Sequence, residues 1–195
     1  MSEHLIIRLN SQPSDPIQWI VWSPENKEVI ASGELNSAEE LSSLSQYSDQ
    51  RTVSALLPSS DVLLREVAIP EGAARQFSSM LPFIVEDDLA QDVDELHIVI
   101  LQKTNKIAQV AIVEHQKMER WLEQLTEAGI HTKRFLPDVL ALPFHHDGAS
   151  MVEFNQQWLL RFSEYQGAIA EYEWLPMLLE GLVTNSAKSV VDTEE

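Results

Sequence analysis

The sequence predicts a mixed α/β fold, and three observations predict it. Residues 4–9 (HLIIRL), 17–23 (IQWIVWS) and 28–35 (EVIASGEL) are rich in β-branched and aromatic residues. SQPSDP and SPEN separate them, and the Pro, Asn, Ser and Asp of these linkers punctuate turns. A second set of three short strands, at 150–155, 157–164 and 167–172, repeats that outline without sequence identity. Between the two sets lies a clear amphipathic helix at 115–128. Met118, Trp121, Leu122, Leu125 and Ala128 share one stripe, and Gly129 stands as the C-terminal cap.

The remaining elements follow in order. Asn36-Ser37-Ala38-Glu39-Glu40 supplies an N-cap with acids in the first turn, and Leu41 and Leu44 continue it at helical spacing. Residues 52–57 (TVSALL) form an apolar strand of the kind buried on both faces, and 62–69 (VLLREVAI) alternate into another. Glu71 to Ala90 is the longest helical candidate, with Phe77, Met80, Leu81, Ile84 and Val85 on one side. Pro82 removes a backbone donor and crowds the carbonyl of Ser78, so a kink or two abutting helices is expected there. Strands at 96–101 and 107–113 pair through the QKTNK loop. After the amphipathic helix come a strand at 132–136, a short helix opened by Pro137-Asp138, a linker FHHDGAS, the second strand set, and an apolar helix at 174–183. Trp19, Trp22, Trp121, Trp158 and Trp174 fall in these strands and on apolar helix faces, where core packing is the default; Trp19 and Trp22 should face opposite sides of their sheet.

Composition narrows the function. The 195 residues carry 13 basic and 31 acidic side chains, a net charge of −18, which disfavours nucleic acid and anionic membrane surfaces and favours a basic protein partner. The absence of cysteine removes disulfides and thiolate chemistry and suits a reducing cytoplasm. MSEHLIIRLN lacks the basic and apolar regions of a signal peptide, no window is apolar enough for a membrane span, and 184–195 reads as a polar tail or linker.

No catalytic constellation stands out. His145, His146 and Asp147 lack further ligands at sensible spacing; His97 at a strand entry reads as structural; the serine pairs Ser42-Ser43 and Ser59-Ser60 have no partner base. What does stand out is the acidic run in FSSMLPFIVEDDLAQDVDELHIVI (77–100). Residues 71–95 hold seven acids against the single base Arg75, enough to steer a basic partner. The candidate contact residues are Glu86, Asp87, Asp88, Asp92, Asp94 and Glu95. Consecutive helical positions fan out by about 100°, so these carboxylates suit a docking surface better than a single cation.

The element order resembles the ribonuclease-H-like lobe of actin-like proteins with the small insertion of FtsA-type members. LPFIVEDDLAQDVDELH (81–97) and AGIHTKRFLPDVLALP (128–143) resemble motifs of the cytoplasmic domain of the type II secretion protein L (GspL) family. The resemblance implies a division into 1–61 with 114–147 as the ribonuclease-H-like lobe, 62–113 as the inserted subdomain, 148–183 as an abbreviated second β-rich lobe and 184–195 as tail. It also implies a scaffold at the cytoplasmic face of the inner membrane, continued in full-length members by one transmembrane helix and a periplasmic domain. Such a scaffold binds the N-terminal domain of the secretion ATPase, protein E, and contacts proteins M and F in the full-length context. The basic stretch Lys103–Arg134 offers a surface for a homodimer.

Actin-like ATPases cradle phosphates on glycine-containing turns, because backbone N–H groups must approach the phosphate closely. Here the turns Asn10–Pro16 and Asn155-Gln156-Gln157 hold no glycine, and the first holds two prolines. The expectation is therefore a non-enzymatic adaptor with no cofactor, metal or small-molecule substrate. The alternatives are a degenerate actin-like ATPase and a generic acidic interaction module.

Overall fold

The computed structural model describes residues 3–86, 89 and 91–182. Three strands at the expected positions, β1 (His4–Arg8), β2 (Ile17–Ser23) and β3 (Glu28–Leu35), form an antiparallel meander. β4 (Thr52–Leu57) runs parallel to β1, and the short β8 (Phe135–Pro137) runs parallel to β4. The resulting order, β3-β2-β1-β4-β8, is that of a ribonuclease-H-like sheet.

Period-two alternation decides which face of this sheet is covered. Leu5, Ile7, Ile17, Val21, Val53 and Ala55 are buried against one helical layer. Each fully buried aliphatic side chain contributes roughly 1.5–3 kcal/mol relative to exposure. Their neighbours Ile6, Ile20, Ser54 and Leu56 on the other face are only half-buried. β4 is thus covered mainly on one face, not on both as its apolar run suggests, because the helical segments 38–48 and 115–127 lie on the same side. Trp19, half-buried, lies over its cross-strand partner Gly33, where an added Cβ would come within 2.9 Å of the indole nitrogen. Trp22 follows a β-bulge and is also half-buried, so neither tryptophan of β2 is fully exposed.

The layer consists of a 3-10 helix (Ala38–Leu44), the single turn α1 (Ser45–Ser48) and α3 (His115–Glu127). The expected α-helix after β3 becomes a 3-10 helix in a serine-rich stretch. The hydroxyls of Ser42 and Ser43 donate to the carbonyls three residues earlier, at Glu39 and Glu40. Ser37 is the N-cap within the expected stretch, and the backbone N–H of Asn36 donates to the Glu40 carboxylate. α3 ends in a Schellman motif. Gly129 takes φ +69°, its N–H donates to Thr126, and the N–H of Ile130 donates to Leu125. Trp121 and Leu125 are fully buried, whereas Leu122, expected on the same stripe, is exposed.

Between β4 and α3 lies a separate three-stranded antiparallel sheet, β5 (Leu63–Ala68), β6 (Leu96–Lys103) and β7 (Ile107–Glu114), in the order β5-β7-β6. α2 (Phe77–Glu86) packs on it through Phe77, Leu81 and Val85, with Val67, Val110 and Ile112 beneath. α2 is shorter than the sequence suggests. Residues 71–76 form successive turns, closed by bonds from Ala73 to Pro70 and from Gln76 to Ala73. Pro82 sits inside one helix instead of dividing two. The last sheet, β9 (Ser150–Phe154), β10 (Gln157–Arg161) and β11 (Gly167–Glu171), has the order β11-β10-β9 and is followed by a helix over 175–182. Trp174, expected in the core, is 56% exposed. The hydroxyl of Tyr172 is bonded by Glu153, which raises its pKa above the usual tyrosine value.

These sheets meet at Asp138. A short helix opens there as the sequence suggests, and the Asp138 carboxylate is buried and bonded to groups outside that helix. Arg8 Nε donates to Oδ2 at 2.9 Å and the Ser59 N–H donates to Oδ1 at 3.0 Å, while Ser59 Oγ accepts from the Val139 N–H at 3.3 Å. Residues 138–141 form a 3-10 helix whose Val139 and Leu140 pack on Leu159 of β10. Removing Asp138 strands the Arg8 guanidinium and the Ser59 N–H. Asp138→Ala is expected to lower the unfolding free energy by about 3 kcal/mol, measured by urea denaturation; a loss below about 1 kcal/mol would mean the pair contributes little.

Candidate partner-binding surface

The acidic run occupies the crossing from α2 to β6. Glu86 is the last residue of α2 and is exposed. A carboxylate at a helix C-terminus opposes the macrodipole, so this position does not serve helix stability. Asp87 and Asp88 lie outside the described residues. The chain then enters a 3-10 turn (Val93–Glu95), where Asp92 is the N-cap and accepts the Asp94 N–H at 3.0 Å. Asp92 therefore has a structural task. Asp94 and Glu95 are exposed in that first turn, and Leu96 beyond them is buried as β6 begins. Of the six expected contact residues, four are placed on this one exposed connection: Glu86, Asp92, Asp94 and Glu95.

The surface has an apolar member that the sequence reading did not single out. Phe83 is 70% exposed, more so than any other large apolar residue among those described. The buried positions 77, 81 and 85 recur every four residues, which turns position 83 to the opposite side of α2. An exposed aromatic three residues before Glu86 lies on neighbouring positions of the helix surface. A partner would meet an apolar anchor beside carboxylates, the combination in which affinity comes from the aromatic and orientation from the charges.

Several backbone groups of the turn after β1 are bonded within the protein. The turn after β1 presents carbonyls inward: Trp121 Nε1 donates to the Asn10 carbonyl at 2.9 Å and Arg120 donates to the Ser11 carbonyl at 2.8 Å. The Gln12 N–H is taken by the Asp15 carboxylate at 2.9 Å. In the β9–β10 turn Asn155 and Gln156 both take positive φ, 50° and 62°, without glycine.

The histidines are dispersed. His146 rests edge-on against Phe144, His145 bridges to Gly148, and His97 stands edge-on to His115 with ring centroids 5.8 Å apart. Among the described residues no group of three His, Cys, Asp or Glu is arranged to hold a metal ion, and no helix is long and apolar enough to cross a membrane.

The family model for type II secretion system (T2SS), protein L, matches residues 5–193. The chain belongs to the type II secretion system protein L family. It is 42% identical over 91% of its length to protein L of Vibrio cholerae and 31% identical over 91% to that of Dickeya chrysanthemi. It spans 44% of the length of each of these relatives. A solved structure, the cytoplasmic domain of EpsL, an inner membrane component of the type II secretion system of Vibrio cholerae, superposes with a TM-score of 0.84. That match has 42% identity and covers 91% of this chain and 74% of the other. A chain of the PilM-PilN type IV pilus biogenesis complex matches at TM-score 0.59 and 12% identity, covering 86% of this chain and 61% of that one, which is a likeness of fold alone. The chain thus has the mixed α/β, actin-like fold of this family's cytoplasmic domain.

If Glu86 and Phe83 serve a partner and not the fold, removing them is harmless to stability. Glu86→Gln is expected to raise the unfolding free energy by about 0.3 kcal/mol at low salt, the small end of the dipole effect for an exposed site. Phe83→Ser should leave it within about 0.5 kcal/mol of wild type. Urea denaturation of both variants checks this, and a loss above about 1 kcal/mol in either would give that residue a structural role instead.

Proposed function

We propose that this chain is the adaptor that docks the secretion ATPase, protein E, through that enzyme's N-terminal domain and ties it to the inner-membrane platform at its cytoplasmic face. The observation that carries the reading is the connection from Phe83 to Glu95. It puts an exposed aromatic and exposed carboxylates together, and two of its members, Phe83 and Glu86, lie outside the buried stripe Phe77, Leu81 and Val85 of the helix that bears them. The contact residues are Glu86, Asp87, Asp88, Asp92, Asp94 and Glu95.

In this reading the segments 1–61 and 114–147 act as one lobe and 62–113 as the inserted subdomain that presents the site. Segment 148–183 acts as the second lobe. Proteins M and F meet the full-length protein, and a second copy meets the basic stretch between Lys103 and Arg134. The protein works by binding and does not turn over nucleotide. Support comes from the turn after β1, whose carbonyls are held by Arg120 and Trp121 and whose Gln12 N–H is held by Asp15.

Titrating the isolated N-terminal domain of the ATPase tests the adaptor reading. Wild type is expected to bind with an affinity that falls as salt rises, and reversal of Glu86, Asp87 and Asp88 to Lys to weaken binding by about tenfold or more and to flatten the salt dependence. Equal affinity and equal salt slope would move the interface elsewhere. Saturable binding or turnover of Mg-ATP by the same preparation would replace the adaptor with an enzyme.

A further inference from the structure

Beside the acidic connection, a cleft of about 300 Å3 opens between the loop after β4, the start of α3 and the sheet β5-β7-β6. Part of its wall is apolar, with Leu63, Leu89 and Leu96 among the residues lining it, and the remainder carries an unusual charge arrangement. Asp61, with a side chain only 4% exposed, accepts Lys117 Nζ on Oδ1, and its Oδ2 is enclosed without a hydrogen-bond donor. Lys117 also lies 3.9 Å from Glu114 Oε1, which accepts Gln91 Nε2 at 2.8 Å. One ammonium is therefore shared by two carboxylates. A net negative charge and an unsatisfied carboxylate oxygen remain in a partly desolvated cleft, an arrangement that costs free energy unless a donor arrives.

We infer that this cleft takes an arginine side chain of the basic partner that docks on the acidic connection. A guanidinium offers donors in a planar fork suited to carboxylates, tolerates loss of water better than an ammonium, and can lay its stem along Leu63 and Leu89. Lys117, with its long stem and 24% exposure, is the member able to shift toward Glu114 as the guanidinium reaches Asp61. A metal ion fits less well, because Lys117 already lies against both carboxylates. An anion would face the uncompensated negative charge. Gln91 belongs to both the cleft and the acidic connection, so one segment of the partner can occupy both.

This inference rests on the partner reading above, and two probes separate their failures. The first is the ATPase's N-terminal domain, titrated into wild type, Asp61→Asn and Glu114→Gln, each checked for folding by its thermal transition. Both variants are expected to bind about tenfold more weakly or worse, as for removal of one member of a desolvated charge pair. Unchanged affinity in folded variants overturns the cleft while leaving the adaptor reading in place. Should Asp61→Asn fail to fold, Glu114→Gln carries the test, since that side chain is 37% exposed. The second probe is N-acetyl-arginine amide, followed by NMR on wild type. Saturable shifts confined to the cleft, stronger than those from N-acetyl-lysine amide, support the inference. If the ATPase domain does not bind wild type at all, the adaptor reading falls and this titration alone decides the cleft, with the absence of saturable shifts there overturning it.

Discussion

The buried carboxylate of Asp138 is the constraint on which the arrangement of this chain depends. Its partners come from opposite ends of the sequence. Arg8 closes β1, and Ser59 leaves β4 toward the inserted sheet and also holds the N–H of Val139, in the 3-10 helix that packs on the last sheet. Arg161 of β10 completes the junction by donating to the carbonyls of Leu140 at 2.8 Å and Leu142 at 2.6 Å, and Phe154 of β9 lies over the Arg8 guanidinium at 4.6 Å. Charged groups buried in this way are costly unless every donor and acceptor is matched. Here the matching fixes how three sheets approach one another, so the network specifies geometry as much as it adds stability.

With the sheets fixed, α2 is free to carry surface chemistry. It needs only one stripe, Phe77, Leu81 and Val85, to hold it to the inserted sheet. Leu89 and Val93 tie the connection to β6 down on the same cluster, while the outer side of α2 and the following 3-10 turn expose Phe83, Glu86, Asp94 and Glu95. The turn after β1 carries a structural task. Its carbonyls serve as acceptors for Arg120 and Trp121, which anchor α3 at the end of the central strand β1.

Much of this was legible in the sequence, for identifiable reasons. β2 and β3 begin and end where alternation and turn residues place them, because those signals are local. The C-terminal cap at Gly129 follows from the same logic. The long acidic helix was overread at its start, since the helical pattern of apolar residues begins only at Phe77 and Pro70 with Gly72 (φ +78°) turns the chain before it. The short helix opened by Pro137-Asp138 is present where the sequence places it, but the carboxylate's partner, Arg8, lies 130 residues away and is supplied by the fold. The acidic run was visible as composition. Phe83 was passed over among apolar neighbours, and Asp61, Glu114 and Lys117 come from separate segments that only the fold brings together.

The central claim is that the Phe83–Glu95 connection is where this protein holds its partner. Hydrogen exchange of the chain, alone and with the ATPase's N-terminal domain, reads this directly. The account predicts slowed exchange in peptides covering 83–96, with the β9–β11 sheet and the turn after β1 unchanged. Protection confined to β9–β11 or to residues 10–16, with 83–96 exchanging as freely as before, would contradict it.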